Sequence, residues 1–221
     1  MRRMRRSLTK TKQAKREDLN KVNFDKLMLE ELKEGAHKTL LLHSCCAPCS
    51  SYCLEEVAKS LKTTIFYYNP NLDTEAEYEK RKAEQKRLLK ETGLAEFLDC
   101  DYSPEDFLSI ASGYEGEKEG GARCERCFRL RLSRTAQEAK RGGYDYFGTT
   151  LTVSPLKNAG LINEIGFELE REYGVRYLPS DFKKRGGYLR SIELSKEHNL
   201  YRQDYCGCKF SKAERNLSKN S

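Results

Sequence analysis

Thr39-Leu40-Leu41-Leu42-His43-Ser44-Cys45-Cys46-Ala47-Pro48-Cys49 is the stretch that decides the fold of this 221-residue chain. The apolar run reads as a short buried strand. Pro48 and the polar residues after it read as the first turn of a helix. The cysteines therefore fall on a strand-to-helix turn, the edge at which an α/β sheet opens to its ligand. Thiolates placed there can reach a metal, a cluster or a substrate.

Working outward, strands and helices alternate. Lys38 to His43 is the first strand, and Pro48 to Lys62 the helix after it. Thr63 to Tyr68 is rich in β-branched and aromatic residues and reads as the second strand. Glu75 to Thr92 is a long charged helix stopped by Gly93, and Ala95 to Leu98 is a short third strand. A helix starts at Ser103-Pro104, with proline at its first position. A mobile Gly-rich loop, Glu115 to Gly121, leads into a helix from about Glu125 to Arg141. The fourth strand (Tyr144 to Leu151), a helix (Leu161 to Tyr173), the fifth strand (Val175 to Leu178) and a last helix (Gly187 to His198) complete the pattern. Such alternation calls for an α/β fold, a mostly parallel sheet with helices on both faces. The domain plan is a basic flexible arm over 1–20, a single α/β catalytic domain over 21–208, and a basic tail over 209–221.

The net charge of +7 is concentrated in the two tails: residues 1–16 hold eight Lys/Arg and no acid. Basic arms are solvated chain or contacts for nucleic-acid phosphates. No apolar stretch is long enough to span a membrane, and no apolar segment follows the basic start as a secretory signal requires. The expected compartment is the cytoplasm, where cysteines persist as thiols, metal ligands or transient redox pairs. No GxGxxG motif and no Walker lysine is present, so dinucleotide or P-loop binding is unsupported.

Seven of the nine cysteines fall in three short groups. Cys45 and Cys46 can both turn into one site where the backbone bends. Cys49 and Cys53 share a helix face; Cys53 reads as a small core residue, and Cys49 is open between core and ligand. Cys124 and Cys127 form a CxxC at a helix start, where the helix dipole lowers thiol pKa. The basic residues around it, Arg123, Arg126, Arg129, Arg131 and Arg134, either solvate the helix, offset thiolate charge or meet phosphate. Cys45, Cys46, Cys124 and Cys127 make four thiolates from two turns, a set that suits zinc or a [4Fe–4S] cluster. The adjacent pair, unusual for zinc knuckles, favours iron–sulfur. A disulfide across Cys206-Gly207-Cys208 would close a very small ring, strained and easily reduced, which suits a cycling dithiol; the alternatives are a near-terminal turn with incidental thiols or two further metal ligands. Asp99, Asp101 and Asp181 stand at strand ends, where a proton donor, a ligand or a helix cap is expected. Tyr67 and Tyr68 offer either a stacking surface for a base or core packing. Cys100 reads as incidental, and His43 as a strand-end structural residue.

Taken together, the motifs resemble the cobalamin-independent epoxyqueuosine reductases, formerly a domain family of unknown function. The likeness rests on His43 to Cys49, Tyr68 to Asn71, Arg123 to Leu132, Thr149 to Lys157 and Tyr201 to Cys208. The resemblance implies a HUP-like three-layer sheet. It also implies reduction of epoxyqueuosine to queuosine at the wobble position of the tRNAs for Asp, Asn, His and Tyr. The implied cofactor is a [4Fe–4S] cluster on Cys45, Cys46, Cys124 and Cys127, without cobalamin. Cys206 and Cys208 are the implied redox pair, and Cys49 a further ligand or a residue of a second iron. Removing the epoxide oxygen needs a proton donor, for which Asp181 and Tyr205 are the candidates. Three rivals remain at this stage. A cluster-dependent tRNA thiolase would need an SGGxDS-type phosphate loop where this chain has cysteines. A zinc module could bind RNA without catalysis. A general thiol–disulfide oxidoreductase would act without tRNA.

Overall fold

The computed structural model describes residues 21–219. The arm expected over 1–20 lies outside them. Five strands form one parallel sheet in the order β3-β2-β1-β4-β5. They are β1 Thr39–His43, β2 Lys62–Phe66, β3 Glu96–Leu98, β4 Tyr146–Thr149 and β5 Arg176–Tyr177. The helices, in chain order, are α1 Phe24–Lys33, α2 Ala47–Val57, α3 Glu75–Thr92, α4 Pro104–Ala111, α5 Ala122–Arg141, α6 Ala159–Tyr173, α7 Gly187–Glu197 and α8 Lys209–Lys219. The expected α/β class with a parallel sheet is what the structure has.

β1 is the central strand, and its leucines are fully buried. A strand covered on both faces reads as a continuous apolar run, and alternation sends its side chains to opposite layers. Leu40 and Leu42 enter a core with Met28, Leu32, Tyr52, Leu54 and Val57. Leu41 enters the opposite core with Phe128, Leu132, Ala136, Phe147, Ile165 and Leu169. Thus α1, α2 and α7 cover one face, and α5 and α6 the other.

The chain winds outward from β1 to β3 and then returns to lay β4 on the other side of β1. The topological switch point therefore lies between the C-terminal ends of β1 and β4, where open α/β sheets bind ligands. His43 pins it. A carbonyl can only accept, so His43 Nε2 carries the hydrogen and donates to the Tyr68 carbonyl at 3.1 Å. Nδ1 then accepts from the Thr149 hydroxyl at 3.0 Å. The ring is fully buried, and desolvation, helped by Arg131, lowers its pKa to about 3, so it stays neutral.

Several boundaries differ from those expected. α5 begins at Ala122, which puts Cys124 inside its first turn. β4 stops at Thr149 because Thr150–Val153 tightens into a 3₁₀ turn, with the Thr149 hydroxyl accepting from the Leu151 N–H. α1 is an element that the sequence reading did not assign; Asn23 caps it and it buries Phe24, Met28 and Leu32. Lys209–Lys219, assigned to a basic tail, is helical. α8 is held by Lys212 against Asp73 and by Glu214 against the buried Arg123. Among the described residues no helix is long and apolar enough to cross a membrane.

Candidate metal and redox site

The turn after β1 is built by hydrogen bonds from two other elements. Asn69 Nδ2 donates to the Ser44 carbonyl at 2.8 Å. The Ser44 and Ser50 hydroxyls both donate to Gln85 Oε1 of α3 at 2.8 Å. Cys46 is the N-cap of α2 with an extended backbone, φ −174° and ψ 159°. The turn therefore aims thiols at the positive end of a helix dipole.

Cys45, Cys46 and Cys49 form a compact trio whose sulfurs all lie within 4.8 Å of one another. Cys45 Sγ is 3.8 Å from Cys46 Sγ and 4.0 Å from Thr150 Oγ1. Two sulfurs on a single tetrahedral metal with bonds of about 2.3 Å stand about 3.8 Å apart, so the spacing fits thiolate ligation of a metal. Hydrogen bonds from Cys46 and Cys49 outweigh burial and, with Lys157 and Arg131 nearby, hold the Cys45 thiol well below its usual range. The same sharing pushes Cys46 up to about 12 and Cys49 above its usual range. Metal binding would expel the protons that the trio holds.

Cys124, Cys127, Cys206 and Cys208 line a neighbouring narrow crevice together with Arg123, Arg131 and Phe128. Burial pushes Cys127 up to about 12 and Cys208 up to about 11, and raises Cys124 against an N–H donated by Gly120. The two thiol groups are adjacent. Cys206 lines the crevice and also the wall of a cleft of about 490 Å³ that holds Cys45, Cys46 and Cys49. Lys157 stands in that cleft wall as well. Burial disfavours its charge, but the facing Cys206, Cys45 and Cys49 outweigh that and keep it protonated.

The structure therefore gathers Cys49 with Cys45 and Cys46, and sets Cys124 and Cys127 with the Cys206/Cys208 pair. Cys53 is fully buried, its thiol donating to the Cys49 carbonyl at 3.1 Å. Asp181 lines none of the cavities around the thiols; its Oδ1 sits 2.7 Å from Lys183 Nζ. Tyr205 does line the cleft, with its hydroxyl donating to Asp73 at 3.1 Å. Asp99 is tied to Lys82 and Lys86 at the surface. Tyr67 and Tyr68 are both core residues, 0% and 4% exposed, so neither offers a stacking face. The arginines of α5 divide. Arg123 is buried and donates to the carbonyls of Tyr114, Glu115 and Glu117, which fixes the Gly-rich loop. Arg129 pairs with Glu168, and Arg134 with Glu138. Sequence reasoning missed Lys157, Thr150 and Gln85 as parts of the site, and also Glu119, which lines both cavities and accepts from the Ser211 hydroxyl at 2.9 Å. Lys157 and Thr150 lie in the Thr149–Lys157 string, the one signal that pointed to them.

Comparison with known proteins agrees with this geometry. A family model described as epoxyqueuosine reductase QueH matches residues 40–214. A protein of that name from Staphylococcus epidermidis is 43% identical over 202 residues, covering 86% of this chain and 85% of its own length. One from Streptococcus pyogenes serotype M1 is 41% identical over 200 residues, covering 86% and 78%. A third, from Thermotoga maritima, is 40% identical over 180 residues, covering 80% and 92%. The matched span runs from β1 into α8 and takes in both thiol groups, and on that ground the chain belongs to the epoxyqueuosine reductase QueH family.

Proposed function

We propose that this chain is an oxidoreductase that converts epoxyqueuosine to queuosine in tRNA by an iron–sulfur-dependent removal of the epoxide oxygen. The observation that carries the reading is the meeting of seven thiols on two adjoining cavities at the switch point of the sheet. The substrate position in this reading is the wobble nucleoside of the tRNAs for Asp, Asn, His and Tyr, and the compartment is the cytoplasm. The proposed cofactor is a [4Fe–4S] cluster with Cys45, Cys46, Cys124 and Cys127 as ligands, with Cys49 as a further ligand or a residue of a second metal. The compact trio supports thiolate metal ligation on the β1 side, and the shared wall residue Cys206 supports joint use of both groups.

The reaction consumes two electrons and two protons: the epoxide becomes an alkene and its oxygen leaves as water. Bound iron supplies single electrons and a Lewis-acid position for oxygen. The Cys206/Cys208 dithiol, on becoming a disulfide, releases two electrons and two protons, which balances the reaction. Cys206 is suited to this role because it faces both cavities. Asp181, tied to Lys183 away from the cleft, is then not needed as the acid. The rim carries Arg202, Arg215 and Lys157, which suit anticodon-loop phosphates, and Tyr188 with the exposed Leu156, which suit an unstacked base.

The test is anaerobic incubation of metal-loaded protein with epoxyqueuosine-containing tRNA and a chemical reductant, followed by nucleoside mass spectrometry. Queuosine should appear without added ATP. An ATP requirement, or incorporation of sulfur in place of loss of oxygen, would move the chain to the thiolase reading.

A further inference from the structure

Three of the most fully buried side chains are arginines, Arg81, Arg123 and Arg131, each 1% exposed. Two of them face a carboxylate. Arg81 Nε donates to Glu77 Oε1 at 2.6 Å, and Arg123 Nη2 to Glu214 Oε1 at 3.3 Å. Arg131 has no carboxylate partner among the described residues. Its Nε donates to the Cys127 carbonyl of its own helix at 3.4 Å, and both Nη1 and Nη2 are buried with no hydrogen-bond partner. What surrounds the guanidinium is sulfur. Arg131 lines the crevice with Cys124, Cys127, Cys206 and Cys208, and its field also reaches Cys45 on the far side.

A guanidinium does not give up its proton in a protein. A buried cation without an anion is strongly destabilising, and the protein keeps it only where an anion arrives. Among the described residues no carboxylate pairs with Arg131 to supply that anion. Thiolates bound to metal do, and they also accept hydrogen bonds. We propose that Arg131 is the buried counter-charge of the thiolate metal centre, with Nη1 and Nη2 donating to its sulfurs. The inference rests on the metal-binding reading above and adds a residue that this reading does not use. Positive charge and N–H donors at the sulfurs favour the reduced, more negative state and raise the reduction potential. Arg131 is thus a tuning residue, acting through the thiolates and not on the substrate.

The experiment compares full-length wild type, Arg131→Met and Arg131→Lys, each prepared metal-free and after anaerobic loading with iron and sulfide. Iron content, thermal melting and the midpoint potential from an optical redox titration are read for each. Metal-free Arg131→Met should melt at or above metal-free wild type, because a similarly long neutral side chain replaces an uncompensated charge. It should gain less on loading than wild type gains. At a fixed ambient potential its reduced-to-oxidised ratio should fall at least tenfold, about 59 mV for one electron. Arg131→Lys, which keeps the charge and loses the fork, should lie between the two. A metal-free Arg131→Met that melts below wild type, or a loaded one with the wild-type potential, would make Arg131 a packing residue and overturn the proposal. If wild type itself takes up no metal, the metal-binding reading falls first and this one with it.

Discussion

Lys212 Nζ of α8 stands 2.6 Å from Asp73 Oδ2 in the loop after β2, and Asp73 N–H donates to the Gly207 carbonyl at 2.9 Å. The segment carrying Cys206 and Cys208 is thereby tied at Gly207 and at Lys212 to one residue of the loop after β2. Burial would raise the Asp73 pKa, but the Lys212 and Tyr205 donors outweigh it and hold the carboxyl below its usual range. Asp73→Ala removes both side-chain ties and leaves the backbone one. Hydrogen exchange across residues 203–215 should speed up, by no more than about fivefold, since one half-exposed ion pair is a weak anchor. Exchange in β1 and β4 should be unchanged.

Gly207 occupies backbone that other residues adopt with strain, at φ 119°. A Cβ there would lie 2.4 Å from Leu72 Cδ2 and 3.0 Å from Arg81 Nη1. Gly207→Ala should cost about 1–3 kcal/mol in a denaturant melt. It should also displace the two thiols that flank it, so queuosine formation should fall at least tenfold while the metal content of the loaded protein is retained.

The neutral state of His43 gives acid sensitivity with a definite sign. Its folded pKa, about 3, lies below the unfolded value of about 6.5. Between these values the unfolded chain binds the extra proton, so stability is full above about pH 6.5 and declines as pH falls toward 3. The loss from this residue alone across that whole window is on the order of 5 kcal/mol. Urea melts of wild type and His43→Gln between pH 7 and pH 4 should show a steep fall in the first and a shallower one in the second.

The trio and its buried neighbour should separate cleanly on metal analysis. Cys49→Ala removes a sulfur from the group within 4.8 Å and should lower bound metal substantially. Cys53→Ala, in the core four residues further on, should keep wild-type metal content and cost about 1 kcal/mol of stability. Equal metal loss in both variants would contradict the geometry.

Much of this was legible in the sequence because local pattern and global role coincide. Leu40-Leu41-Leu42 reads as a doubly covered strand and is one; Pro48 marks a helix start and stands at one. The long α3 has its C-terminal end written in Gly93, at φ 64°. The site was harder. Nothing in spacing alone says that Cys49 faces Cys45 while Cys53 faces the core, because the difference is set by how α2 rolls against α7. The basic character of α5 hid opposite environments: Arg123 and Arg131 are buried, whereas Arg129 and Arg134 lie near the surface. α8 escaped because its helix is fixed by partners far away in the chain: Asp73, Arg123 and Phe107, the last against its one aromatic ring, Phe210.

Cys206 follows all five strands in the chain, yet it is a wall of both thiol cavities. A shift of that one segment therefore reshapes both cavities at once, and neither thiol group can change its surroundings independently of the other.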